Sequence, residues 1–208
     1  MSQNTSSAVM QQRSEAHDSL DDFPTPPWAT RALCFRLPTY GTDTHKTQTV
    51  REPAANRGHM VRPLQSFFKS VDAFDIHDYG VGIPVRDYLF GPCEKVHWTI
   101  TNPPFRLAEQ FISKALQESQ FGVAMLVRSA FLEGIGRYKN LFSKTPPTRV
   151  LQFTERVVMH KGKLSAKGST ATAYCWLMWD LCQKSEKTRF EWIDPCRKQM
   201  ESANDYTS

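Results

Sequence analysis

No Cys-x-x-Cys pair occurs among the five cysteines (Cys34, Cys93, Cys175, Cys182 and Cys196), and no histidine stands at zinc-ligand spacing from them. Neither a disulfide framework nor a bound metal is expected, and a reducing interior is the default setting. Also missing is any apolar run near the ~20 residues of a membrane span. The N-terminus has neither the basic start nor the apolar core of a secretion signal. These absences predict a soluble, cytoplasmic protein with no membrane partner. At 208 residues the chain also leaves no room for a second domain of ordinary size.

What is present points to a packed globule: 40% hydrophobic residues and 12% aromatic, with five tryptophans. A net charge of +5 favours a polyanionic partner, although so modest an excess specifies none. Residues 1–19 are rich in Ser, Gln and Asn and read as a mobile, disordered arm. Residues 20–180 hold the patterned part of the chain, and 181–208 read as a peripheral tail in which Phe190 and Trp192 dock back onto the core. Nothing in the chain specifies an oligomeric state.

The patterned part alternates strand and helix. Asp21 to Trp28 is an extended, proline-marked entry to a short helix that starts near Pro26 or Pro27 and takes in Ala29–Leu37. Trp28 is then either a core aromatic or part of a lid over a ligand. Val50–Glu52 is a short strand, followed by the small-residue turn Pro53-Ala54-Ala55-Asn56-Arg57-Gly58 and a helix over Met60–Phe68. A strand, a tight turn and a helix N-terminus bring backbone N–H groups close to a ligand. Gly58 permits close approach, and Asn56 is the residue that best tolerates a left-handed backbone after glycine. Val71–Ile76 is a second strand ending in an acid, Asp75, with Asp72 and Asp78 as competitors for a ribose contact. Asp87 follows. Val96–Ile100 is a buried strand that stops at Asn102-Pro103-Pro104-Phe105, a rigid extended loop because proline fixes φ and lacks an N–H. Arg106–Glu118 is an amphipathic helix, and Phe121–Val127 a nearly continuous apolar run, as an inner strand covered on both faces requires. Two further strands, within Arg149–Met159 and Ala171–Trp179, close the pattern of an α/β sheet.

In this order, Phe23-Pro24-Thr25-Pro26-Pro27-Trp28, the Glu52–Gly58 turn, Asp75, Asp87 and Asn102-Pro103-Pro104-Phe105 resemble the class I S-adenosylmethionine-dependent methyltransferases. More narrowly they are similar to the N6-adenine DNA methyltransferases of the small phage and prophage type. The resemblance implies a Rossmann-like, doubly wound, mostly parallel seven-stranded sheet with an antiparallel last strand and helices on both faces. It implies S-adenosyl-L-methionine as cofactor, held by Pro26, Trp28, Glu52, Pro53, Ala54, Asn56, Gly58, Asp75 and Asp87. It makes Asn102, Pro103, Pro104 and Phe105 the catalytic loop, acting on an adenine flipped out of duplex DNA. One departure is that many relatives carry Gly where Asn56 stands.

From Arg128 to Gly168 there are nine Lys/Arg against two Glu. Arg128, Arg137, His160, Lys161, Lys163 and Lys167 are therefore expected to meet the phosphates of DNA. With no dedicated target-recognition domain, sequence selectivity should be weak or short-range. An RNA adenine or a protein glutamine remains an alternative acceptor, and a non-catalytic module that binds DNA or a phage component an alternative role.

Overall fold

The computed structural model describes residues 21–40, 44–183 and 185–206. The expected N-terminal arm lies outside the described residues. One sheet of seven strands runs through the molecule: β1 (Thr49–Glu52), β2 (Ser70–Ala73), β3 (Val96–Thr101), β4 (Ser119–Arg128), β5 (Arg149–Phe153), β6 (Tyr174–Asp180) and β7 (Arg189–Ile193). Their spatial order is β2-β1-β3-β4-β6-β5-β7. Only β6 runs against its two neighbours; the pairings β2–β1, β1–β3, β3–β4 and β5–β7 are parallel.

Helices α1 (Pro27–Cys34) and α2 (Val61–Phe67) cover one face, and α3 (Ala108–Glu118) covers the other. The period-two alternation of strands sorts the side chains between two cores. Trp98 and Ile100 of β3, Ala124 and Leu126 of β4, and Trp176 and Met178 of β6 pack under α1 and α2. Val123, Met125 and Val127 with Cys175, Leu177 and Trp179 pack against Phe111, Ile112 and Ala115 of α3. Central strands buried on both faces are therefore apolar throughout, which explains the unbroken runs in β4 and β6.

The doubly wound, mostly parallel sheet and its helices on both faces match the sequence expectation, with two local differences. Between Asp75 and Val85 the chain makes only an isolated parallel bridge, since Gly80, Gly82 and Pro84 favour turns over a ladder. After the antiparallel β6 one more strand follows: β7, from the segment expected to be a peripheral tail, adds a parallel edge beside β5. Its Ile193 is buried, while Phe190 and Trp192 are 50% and 66% exposed and do not dock into the core. The tail is pinned by Arg31 of α1, whose guanidinium gives two 2.7 Å hydrogen bonds to the buried Asp205 carboxylate. Among the described residues no helix is long and apolar enough to cross a membrane.

Gly122 in β4 sits where no larger residue fits. A Cβ there would meet the Trp98 ring at 2.3 Å and the Trp179 carbonyl oxygen at 2.7 Å. Trp98 is fully buried and its Nε1 donates to Gln48 Oε1 at 2.9 Å, so the ring cannot swing aside freely. Gly122→Ala should destabilise the protein by about 1–3 kcal/mol, the usual cost of overpacking, read as a lowered midpoint in chemical denaturation.

Candidate active site

The carboxyl ends of β1, β2 and β3 meet around a cavity of about 390 Å³. At the end of β1, Glu52 is fully buried. Its Oε1 accepts hydrogen bonds from the Ala54 N–H at 3.0 Å and from the Thr101 hydroxyl at 2.5 Å. One carboxyl thus ties the turn after β1 to the strand that leads into Asn102. Burial pushes the Glu52 pKa up to about 8, against the two hydrogen bonds that favour its ionised form.

The turn itself carries Asn56 at φ 49° and Gly58 at φ 80°, both in the left-handed region. Asn is among the few residues that adopt this conformation at small cost, so the Asn in place of Gly is compatible with the turn. Both oxygens of Asp75 accept from backbone, Oδ2 from the Asn56 N–H at 2.8 Å and Oδ1 from the His77 N–H at 3.0 Å. Each carboxylate oxygen keeps a second lone pair for a ligand. Asp72 is taken instead by Arg51 and Arg86, both at 2.8 Å, and Asp78 accepts from the Gly80 N–H. Of the three candidate acids on this stretch, Asp75 is the one that lines the cavity.

Of the expected cofactor residues, Pro53, Ala54, Asn56, Asp75 and Asp87 line the cavity. Four do not. Trp28 is a core residue 1% exposed, its ring edge-on to Phe153 at 5.5 Å. Pro26 caps α1 with Pro27 at the first helical position. Glu52 lies beneath the turn and acts on it through hydrogen bonds, and Gly58 turns the chain behind it. The residues just before Pro26 face the cavity instead: Asp21, Phe23, Pro24 and Thr25 all line it. Asp22 Oδ1 accepts from Asn56 Nδ2 at 2.8 Å and from Arg57 at 2.9 Å. Burial raises the Asp22 pKa, but the hydrogen bonds from Arg57 and Asn56 outweigh it and hold the carboxyl below its ordinary value. Asp21 Oδ2 accepts from the Phe105 N–H at 2.7 Å. The strap therefore joins the turn after β1 to the loop after β3.

Sequence reasoning missed His59, Tyr79, Tyr88, Arg106 and Phe111 in the cavity wall. Burial lowers the His59 pKa to about 4, so the wall presents a neutral imidazole. His59 directly follows Gly58 and Tyr88 directly follows Asp87, an adjacency that was the available signal.

The Asn102–Phe105 loop is a partition. Asn102 and Pro104 face the large cavity, while Pro103 and Phe105 face a second pocket of about 170 Å³ with Val127, Arg128, Phe131 and Arg137. The Arg128 guanidinium lies 3.9 Å over the Phe105 ring, and Phe23 packs on Phe105 at 5.3 Å. Arg137 is committed to the fold: it donates to the carbonyls of Phe131 and Glu133 and to Glu109. A phosphate would have to compete with all three, so Arg137 is poorly placed for the contact expected of it. His160, Lys161, Lys163 and Lys167 lie on the β5–β6 connection, which does reach this edge: the Gly162 N–H donates to Asp22 O at 2.8 Å, and Met159 Sδ lies 3.7 Å from Asn102 Nδ2. Among the described residues no cluster of three or more His, Cys, Asp or Glu could hold a metal ion.

A Glu whose folded pKa is raised to about 8 from 4.5 favours the protonated fold. Its stabilisation is full below pH 4.5 and is lost as pH rises through about 8. Glu52→Gln keeps both acceptor contacts on its amide oxygen and removes the titration. Denaturation midpoints measured across this window should decline for wild type and stay flatter for the variant; parallel declines would contradict a neutral Glu52.

No protein-family model matches the chain, and no curated protein matches it. Solved structures do. One, described as a candidate RNA methyltransferase from Pyrococcus horikoshii, superposes with TM-score 0.55 at 14% identity, over 83% of this chain and 96% of that one. A second, an S-adenosylmethionine-dependent O-methyltransferase from Thermotoga maritima, gives TM-score 0.50 at 14% identity, over 86% and 71%. At these identities the likeness is one of fold: the chain has the Rossmann-like architecture of these two proteins.

Proposed function

We propose that the protein is an S-adenosyl-L-methionine-dependent methyltransferase that methylates the N6 amino group of adenine in DNA. The observation that carries this reading is the placement of Asn102-Pro103-Pro104-Phe105 as the wall shared by a nucleoside-sized cavity and a smaller pocket. Such a partition suits transfer between two ligands that meet at one loop.

The large cavity fits the cofactor chemically. Asp75 has lone pairs to spare for ribose hydroxyls, and Tyr88, Leu89 and Phe111 offer apolar contact for a purine near Asp87. When bound, the cofactor supplies a sulfonium methyl group, which the acceptor nitrogen takes by in-line displacement, the C–S electron pair returning to sulfur and the surplus proton leaving to water. Asn102 Oδ1, buried and without a partner among the described residues, is an acceptor for one hydrogen of that amine. The Pro103 carbonyl is the second. Two acceptors draw the amine lone pair out of conjugation and aim it, so positioning and electrostatics supply the rate. Phe105 offers its face to the base once the Arg128 guanidinium moves off it.

A nucleic acid is favoured over a protein acceptor by the basic β5–β6 connection, which carries His160, Lys161, Lys163 and Lys167 and reaches the site through Met159 and Gly162, and by Arg128 in the wall of the small pocket. An RNA adenine is the second reading, because the Pyrococcus protein of like fold is described as acting on RNA. The sheet and cavity carry equal weight for both polymers.

Asn102→Ala should lower methyl transfer to unmethylated DNA by at least about 100-fold, the scale for removing one preorganised hydrogen-bonding group. Its S-adenosylmethionine affinity by calorimetry should stay near that of wild type. A fully active variant would show the catalytic assignment to be wrong, and transfer to RNA alone would move the substrate from DNA to RNA.

A further inference from the structure

We infer that Thr25 is a positioning residue, which with the Phe23 carbonyl fixes the Asn102 amide so that Oδ1 is the atom offered to the acceptor amine. This rests on the methyltransferase reading for its consequence, though not for its geometry.

Asn102 Nδ2 lies 3.1 Å from the Phe23 carbonyl oxygen and 3.0 Å from Thr25 Oγ1. A main-chain carbonyl only accepts, so the amide must turn its nitrogen, not its oxygen, toward Phe23. The Thr25 hydroxyl hydrogen has its own target in Met159 Sδ at 3.7 Å, which leaves an Oγ1 lone pair for Asn102. Both amide hydrogens are thus used, and Oδ1 is left as a buried acceptor with no partner among the described residues. The terminal torsion of Asn is broad and two-fold, so these two acceptors select one of two otherwise similar amide orientations. The flipped amide would present hydrogens to an amine that already has two.

Thr25 is well built for this. It is 3% exposed, and Pro24 and Pro26 on either side fix an extended backbone that holds Oγ1 in place without a helix or strand around it. Met159 comes from the β5–β6 connection, so the hydroxyl is shared between the catalytic asparagine and the basic segment.

The test compares Thr25→Val, which keeps the shape and removes the acceptor, with Thr25→Ser, which keeps it. We expect Thr25→Val to lower kcat at least about tenfold with thermal midpoint and S-adenosylmethionine affinity near wild type, and Thr25→Ser to retain most of the activity. A Val variant with wild-type kcat overturns the proposal. So does an equal loss in Val and Ser accompanied by weaker cofactor binding, which would make Thr25 a strut. A second readout does not depend on activity: the Asn102 side-chain NH2 signals in nitrogen-15 correlation spectra, assigned by their absence in Asn102→Ala. They should shift and exchange faster with water in Thr25→Val but not in Thr25→Ser, and unchanged signals in Val overturn the proposal. If wild type methylates neither DNA nor RNA while these signals respond as expected, the positioning stands and the methyltransferase reading falls.

Discussion

The hydrogen bonds converging on the Glu52 carboxyl are the constraint on which the rest of the site depends. β1 and β3 are parallel neighbours, so their carboxyl ends fall side by side, but a ladder alone does not fix the loops that leave them. Glu52 Oε1 binds the first N–H of one loop and the last hydroxyl of the strand feeding the other. Placing that carboxyl in full burial is costly unless it is protonated, and its raised pKa is the signature of that cost. The site therefore rests on a buried acid beneath the turn, whose pKa burial raises, while Asp75 stands in the cavity wall.

Above this cross-link the strap from Asp21 to Thr25 adds a second set of ties. Asp22 holds the Asn56–Arg57 turn, Asp21 holds the Phe105 backbone, and Phe23 and Thr25 hold the Asn102 amide. A group poised to accept from a substrate amine must be preorganised before the substrate arrives, since reorganisation during reaction adds to the barrier. On the proposed function, that preorganisation comes from a segment with no regular secondary structure, kept extended by its prolines.

Much of the fold was legible because burial on two faces leaves a plain trace. The unbroken apolar residues of β4 and β6 admit few other readings, and the Pro-Pro after β3 marks a strand end whatever the tertiary structure. Local geometry was legible where one residue type is needed at one backbone position, as with Asn56 at positive φ and Asp75 just past the end of β2. It was not legible where partners are distant in sequence. Thr25 meets Asn102 across 77 positions, and no period or spacing encodes that contact. Trp28 reads as lid or as core because an aromatic after two prolines suits both, and packing against Phe153 decides for the core. Arg137 reads as a free cation until the carbonyls of its own turn are seen to occupy it. β7 escaped notice because it is an edge strand, whose exposed Phe190 and Trp192 blur the alternation that marks a half-buried strand.

The central claim is that this edge of the sheet moves a methyl group onto the exocyclic nitrogen of adenine in DNA. The most direct measurement incubates the purified protein with S-adenosyl-L-methionine and unmethylated duplex DNA, digests the DNA to nucleosides and identifies them by mass spectrometry. The account predicts N6-methyl-2′-deoxyadenosine as the product. A methyl group found only on cytosine, or on no nucleoside at all despite bound cofactor, would contradict it.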